Sequence, residues 1–189
     1  NSGLQNRWRK FDSSIARHII FMFQKIAIIG PNGAGKTMLS RRLGKMTSLP
    51  IIHVDSYIWG PHWELRDRNL AEKELRETLK NEPEWIVDGY INYSPNEMLT
   101  LAELVIYLDY SKSRQLFQNI KRWLKHRKDK RDELPEGCEE RFSVKSCVHI
   151  IQGGVSQMIK EAIEKYKPKN MVVIKSPKEL EKFLRENFK

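Results

Sequence analysis

Gly30-Pro31-Asn32-Gly33-Ala34-Gly35-Lys36-Thr37 fits G-x-x-x-x-G-K-[ST] at every fixed position. Each residue type has a task at this spacing. Glycines let the backbone wrap close around phosphates, and the exposed amides, extending to Met38 in the following turn, supply positive potential together with a helix N-terminus. Lys36 reaches the β- and γ-oxygens and Thr37 offers its hydroxyl to Mg²⁺. The expected ligand of Gly30 through Met38 is therefore a nucleoside triphosphate with magnesium. No N-K-x-D guanine-reading motif occurs in the chain, which argues against a GTPase.

Two carboxylates stand where such chemistry uses them. Asp55 closes the apolar run Pro50-Ile-Ile-His-Val-Asp55, and Asp88 closes Trp85-Ile-Val-Asp88. At the carboxyl ends of parallel strands both project toward a ligand crevice. One is expected to hold the water shell of Mg²⁺ alongside Thr37, a task assigned to Asp88, and the other to orient or deprotonate an acceptor hydroxyl. The ordinary alternative is that either aspartate caps a turn.

Further along, Lys121 to Arg131 carries seven Lys and Arg against one Asp, and Asp132 to Glu140 then holds five acids and no base. This polarity suggests a lid whose Arg122, Arg127 and Arg131 reach the transferring phosphoryl group, where one arginine is worth about 10³–10⁵ in rate. A solvated helix end with ordinary ion pairs is the competing reading. The aromatic stretch Asp55-Ser-Tyr-Ile-Trp59-Gly-Pro61-His-Trp63 either walls an acceptor pocket or fills a gap between helix and sheet. Arg66 and Arg68, just beyond, suit an anionic acceptor. Cys138, Cys147, His149 and His126 have the wrong spacing for the common zinc patterns.

The elements that must position these residues follow from hydrophobic periodicity. Five short runs read as buried parallel strands: Lys25 to Ile29, Pro50 to Val54, Trp85 to Val87, Leu104 to Leu108 and Met171 to Ile174. Between them lie helical patterns. Ser113 to Lys125 places Leu116, Phe117, Ile120, Trp123 and Leu124 on one side of an amphipathic helix. Ser176-Pro177-Lys178-Glu179 reads as a capped start to a terminal helix carrying Leu180, Phe183 and Leu184. Alternating strand and helix predicts an α/β fold with a parallel sheet and right-handed crossovers.

Composition agrees with one globular domain. The chain has 189 residues, 40% hydrophobic and 10% aromatic, and no apolar run of the length a membrane helix needs. Its 34 Lys and Arg against 24 Asp and Glu leave a charge of +10, which suits nucleotide, nucleic acid or another anionic partner. Two cysteines without a C-x-x-C pair point to a reducing cytoplasm. Residues 1–23 read as an N-terminal extension, or as a segment foreign to the natural chain with Met22 as its start, and 24–189 as the domain proper. A signal peptide is disfavoured because the apolar patch Ile19 to Phe23 is short and no small-residue cleavage site follows it.

Taken in order, the P-loop, Asp55-x-x-x-Trp59-x-Pro61-x-Trp63, Trp85-Ile-Val-Asp88-Gly89-Tyr90, Leu104 to Asp109 and Leu134-Pro-Glu-Gly-Cys138-Glu-Glu-Arg141 resemble the adenylate-kinase-like topology modulation proteins. The likeness runs from Gln24 onward, and only the P-loop is specific by itself. It implies the P-loop NTPase fold of kinases, a five-stranded parallel sheet ordered 2-3-1-4-5 flanked by helices, a lid at about 122–160 between strands four and five, and ATP as donor. One departure stands out against the resemblance: Phe142 to Lys160 contains no arginine and is interrupted by Gly153-Gly154. Either the lid is less catalytic than in its relatives, or Arg141 and Lys145 substitute.

The expected function is a kinase moving the γ-phosphoryl of ATP to a nucleoside, nucleotide or similar small acceptor, in a monomer or dimer with no membrane partner. A nucleic-acid-associated ATP-binding protein affecting DNA topology is the alternative, motivated by the charge and by the family's name.

Overall fold

The computed structural model describes residues 23–126, 135–138 and 144–187. Its framework is a five-stranded sheet in the order β2-β3-β1-β4-β5, formed by β1 (Lys25–Ile29), β2 (Ile51–His53), β3 (Trp85–Asp88), β4 (Leu104–Leu108) and β5 (Met171–Ile174). All four pairings are parallel, with Ile28 opposite Asp88 and His53 opposite Asp88 in the registers that flank the P-loop. This is the order implied by the family resemblance. The strands match expectation except at β2, which starts at Ile51 and stops at His53, and at β3, which runs one residue further, to Asp88.

Helices cover both sides of the sheet, which is why its strands read as unbroken apolar runs. Alternate residues of β1 divide between two cores. Ala27 and Ile29 pack with Val54, Leu75, Leu79, Trp85, Met98 and Ile159, and Ile26 and Ile28 pack with Leu39, Leu43, Leu104, Phe183 and Leu184. Each such fully buried Leu or Ile contributes about 1.5–3 kcal/mol. The first core is closed by α3 (Arg68–Asn81), α4 (Pro95–Thr100) and α7 (Gly154–Tyr166), the second by α1 (Lys36–Thr47) and α8 (Pro177–Asn187).

Local chemistry sets the helix starts. The side chain of Asp67 accepts the Leu70 amide at 2.9 Å to cap α3. Ser176 Oγ accepts the Glu179 amide at 3.2 Å at the head of α8. Glu179 reaches back to the Lys175 amide at 2.7 Å, one residue earlier than in the standard capping box.

Two further helices belong to the expected lid region: α5 (Lys112–His126) leads into it and α6 (Val144–Gln152) lies within it, divided from α7 at Gly153, whose φ is +75°. The sequence boundary of 122–160 thus begins inside α5 and ends inside α7. The amphipathic pattern of α5 is present, but it is not turned toward the core: Phe117 is 61% exposed, Ile120 42% and Leu124 55%, while Gln115 and Asn119 are buried. The inward edge is polar because α5 leans on the P-loop, where a Cβ on Gly33 would stand 2.5 Å from the Gln115 carbonyl oxygen. No helix among the described residues is long and apolar enough to cross a membrane.

Candidate active site

β1 delivers the chain into the P-loop, and the loop delivers it into α1. Gly33 and Gly35 take φ of +75° and +86°, left-handed values that suit glycine. Within the loop, Ala34 N donates to Pro31 O at 3.2 Å, and Leu39 N donates to Gly35 O at 3.1 Å as α1 begins. Gly35 is the N-cap and has no side chain to satisfy the first amides, so those of Lys36, Thr37 and Met38 form an open anion seat of the kind helix N-termini provide. Met38 contributes only backbone, since its side chain is 77% exposed.

Lys36 folds back over this seat. Its Nζ donates to Gly30 O at 2.9 Å and to Pro31 O at 3.1 Å. Burial pushes the ammonium below the usual lysine range, the charges of Asp55 and Asp88 pull it back up, and the Arg122 guanidinium presses it down again. The same interactions place Asp55, Asp88 and Arg122 within electrostatic reach of the P-loop lysine.

Asp88 ends β3 beside the loop and is only 3% exposed. Its Oδ2 accepts from Ser40 Oγ and pairs with His53 Nδ1 at 3.0 Å, while Oδ1 faces Thr37 Oγ1 at 3.5 Å. One oxygen is thus anchored and the other turned to the P-loop hydroxyl. Ser40 and His53 went unnoticed in the sequence. The available signals were slight: Ser40 lies one helical turn after Thr37, and His53 is the polar residue in an otherwise apolar strand.

Asp55 does not end a strand as expected. The chain turns helical immediately after His53, so Asp55 lies in the first turn of α2 (Val54–Ile58), where its carbonyl accepts from Trp59 N at 3.1 Å. Gly89 makes this arrangement possible. With φ of +147° it passes so close to Val54 that a Cβ would overlap the valine side chain, which brings the end of β3 against the start of α2.

Beyond α2, the chain doubles back through an antiparallel bridge between Trp59 and Leu65. Within it, His62 and Trp63 hold φ of +56° and +63°, unusual for such side chains. The rings of Trp59 and Trp63 meet edge to face at 5.4 Å. Residues 135–138 dock on this turn: His62 N donates to Glu136 O at 2.9 Å, Trp63 N to Cys138 Sγ at 3.2 Å, and Cys138 Sγ to Gly60 O at 3.4 Å. The aromatic stretch therefore meets the segment expected to be a lid. Arg66 and Arg68 are engaged within the protein. Arg66 grips both Glu74 oxygens and Tyr57 O, and Arg68 binds Glu72 and Asn92 O and stacks 5.0 Å from the Tyr93 ring.

Arg122 is on α5, bonded to Asn119 Oδ1 at 3.0 Å. Arg127, Arg131 and Arg141 lie outside the described residues, as does the side chain of Lys145.

The molecule superposes on deoxyadenosine kinase from M. mycoides with bound dATP at a TM-score of 0.55 and 18% identity, covering 86% of this chain and 98% of that one. It superposes on shikimate kinase from Acinetobacter baumannii in complex with shikimate at 0.53 and 15% identity, covering 92% and 93%. The fold is that of the P-loop kinases. No protein-family model matches the chain. Among curated proteins, HslU, the ATPase subunit of an ATP-dependent protease, from Agrobacterium fabrum is 44% identical over 55 residues. The same subunit from Sinorhizobium fredii is 42% identical over 53 residues. These matches span 28% of this chain and 12% of each relative, about an eighth of its length. They are limited to a P-loop ATPase segment.

Proposed function

We propose that the protein is a small-molecule kinase that binds ATP with Mg²⁺ and transfers the γ-phosphoryl to a nucleoside, nucleotide or similar acceptor. The observation that carries this reading is the pairing of Thr37 with Asp88 beside an ammonium folded over an open helix terminus. The likeness of the fold to a deoxyadenosine kinase and a shikimate kinase supports it.

The residues present fit magnesium. Thr37 Oγ1 and Asp88 Oδ1 are hard oxygen donors on adjacent elements, spaced for one direct and one water-mediated contact. An ion held by Thr37 and, through water, by Asp88 would offset the negative charge of the phosphate oxygens. Everything else falls to the chain. Amides of residues 30–38 seat the phosphates, Lys36 moves from its loop carbonyls to the γ-oxygens, and Arg122 faces the same charge from α5. Asp55 takes the acceptor proton as the acceptor oxygen bonds to phosphorus and the bridging oxygen leaves with ADP. Trp59 and Trp63 wall the acceptor, and Arg127 and Arg131 join the phosphoryl group from the lid.

The order of matching stretches after the P-loop supports placing the chain among the adenylate-kinase-like topology modulation proteins. Cys138 and Cys147, both free thiols, suit a reducing cytoplasm.

Phosphoryl transfer from ATP to a panel of nucleosides, nucleotides and small hydroxy acids tests the assignment. Lys36→Ala is expected to lower turnover by about 10²–10³. Transfer within a few-fold of wild type would sink it.

A further inference from the structure

A small cleft opens beside the crest of the P-loop, lined by Pro31, Asn32, Gln115, His149, Gly153 and Ser156 among others. Pro31, in its wall, is also the residue whose carbonyl accepts from Lys36 Nζ at 3.1 Å. On the kinase reading, this ammonium marks the γ-phosphoryl end of the nucleotide. The cleft therefore flanks the reacting group and not the base.

Its lining mixes polar groups with the apolar side chains of Ile150 and Val155. Gln115 is 2% exposed and gives its side-chain N–H to Tyr110 O at 2.7 Å. α7 begins here at Gly153 with no side-chain cap, so its first amides share the cleft. Ser156 is held by a hydrogen bond to Tyr107, whose hydroxyl donates to Asp109 at 3.0 Å. Among the described lining residues, His149 alone can carry a positive charge. It is exposed, in the last turn of α6. The neighbouring Lys112 is committed to Ile151 O at 2.6 Å.

We propose that His149 is a catalytic residue of the phosphoryl transfer, donating from its imidazole to an oxygen of the γ-phosphoryl group. The inference rests on the kinase reading and deepens it by adding a group that faces the phosphoryl oxygens from the α6–α7 junction. His149 forms no bond to phosphorus. It stabilises charge on oxygens that are more negative in transit than at rest, so it discriminates a transition-state mimic from the product.

Calorimetry with Mg-ADP, alone and with aluminium fluoride as a mimic of the phosphoryl group in flight, tests this directly. His149→Ala is expected to weaken capture of the ADP–aluminium fluoride pair by about tenfold or more and to leave Mg-ADP binding within twofold, with His149→Gln intermediate and His149→Arg restoring capture. Equal affinities for the pair in wild type and His149→Ala would overturn the proposal, as would a parallel loss of Mg-ADP binding. Failure of the wild type to bind Mg-ADP at all would instead overturn the kinase reading, and this inference with it.

Discussion

Asp88 presents one carboxylate oxygen to the Thr37 hydroxyl at 3.5 Å while its other oxygen is held by Ser40 and by His53. The two residues are 51 positions apart in the chain. What unites them is the parallel register that sets Ile28 opposite Asp88, so that the P-loop leaves the sheet beside that carboxylate.

Asp88→Asn tests this pairing. The amide keeps the shape but removes the charge proposed to steady the metal's water shell, so turnover is expected to fall by about 10²–10³ and the magnesium concentration for half-maximal activity to rise. A magnesium titration of activity checks both. An unchanged magnesium requirement would remove Asp88 from the metal's surroundings.

Lys36 gives a pH prediction. Its folded pKa lies below the ordinary lysine value, so the charged form is disfavoured in the fold. That cost is complete below the folded pKa and fades as pH rises through the interval up to the unfolded one. Affinity for Mg-ATP, which needs the ammonium, should accordingly fail at lower pH than an ordinary lysine would allow. Asp55→Asn is expected to move the alkaline limb of the affinity profile downward and Arg122→Met upward. Calorimetry across the alkaline range decides, and a limb that stays in place in both variants contradicts the electrostatic coupling.

Gly89→Ala should destabilise the protein by about 2–4 kcal/mol, because the added methyl overlaps Val54 and the φ of +147° is foreign to alanine. Urea denaturation monitored by tryptophan fluorescence measures the loss. A change below about 0.5 kcal/mol would mean that α2 is not pressed against the end of β3.

The docking of residues 135–138 on the tryptophan turn is open to thiol chemistry. Cys138 is fully buried and bonded to Gly60 and Trp63, whereas Cys147 is half-exposed. A thiol reagent should modify one cysteine quickly and the other at least about 10² times more slowly, at the rate of local opening. Mass spectrometry should identify the slow site as Cys138. Comparable rates at both would show that the turn is not covered.

Much of the framework was legible in the residues. β1, β4 and β5 begin and end where their apolar runs do, and the P-loop declared itself by spacing. Asp88 was singled out for the same reason: a polar residue closing a buried strand has few places to point. The misreadings have physical causes. Asp55 looked like a strand end because helix and strand both tolerate Val54, and only the packing of Gly89 against it chooses between them. His53 and Ser40 were invisible as partners of Asp88 because they lie 35 and 48 residues away and meet it only once β2 and α1 pack against β3. Periodicity in α5 showed that an apolar side exists, but it carries no information on which way that side is turned. Gln115 and Asn119 settle the matter by facing inward.

The 2.5 Å that separates a notional methyl on Gly33 from the Gln115 carbonyl has a mechanical meaning. Loop and helix are meshed like gear teeth, with no play between them. Tilting α5 toward the loop would press first on Gly33, at the P-loop itself.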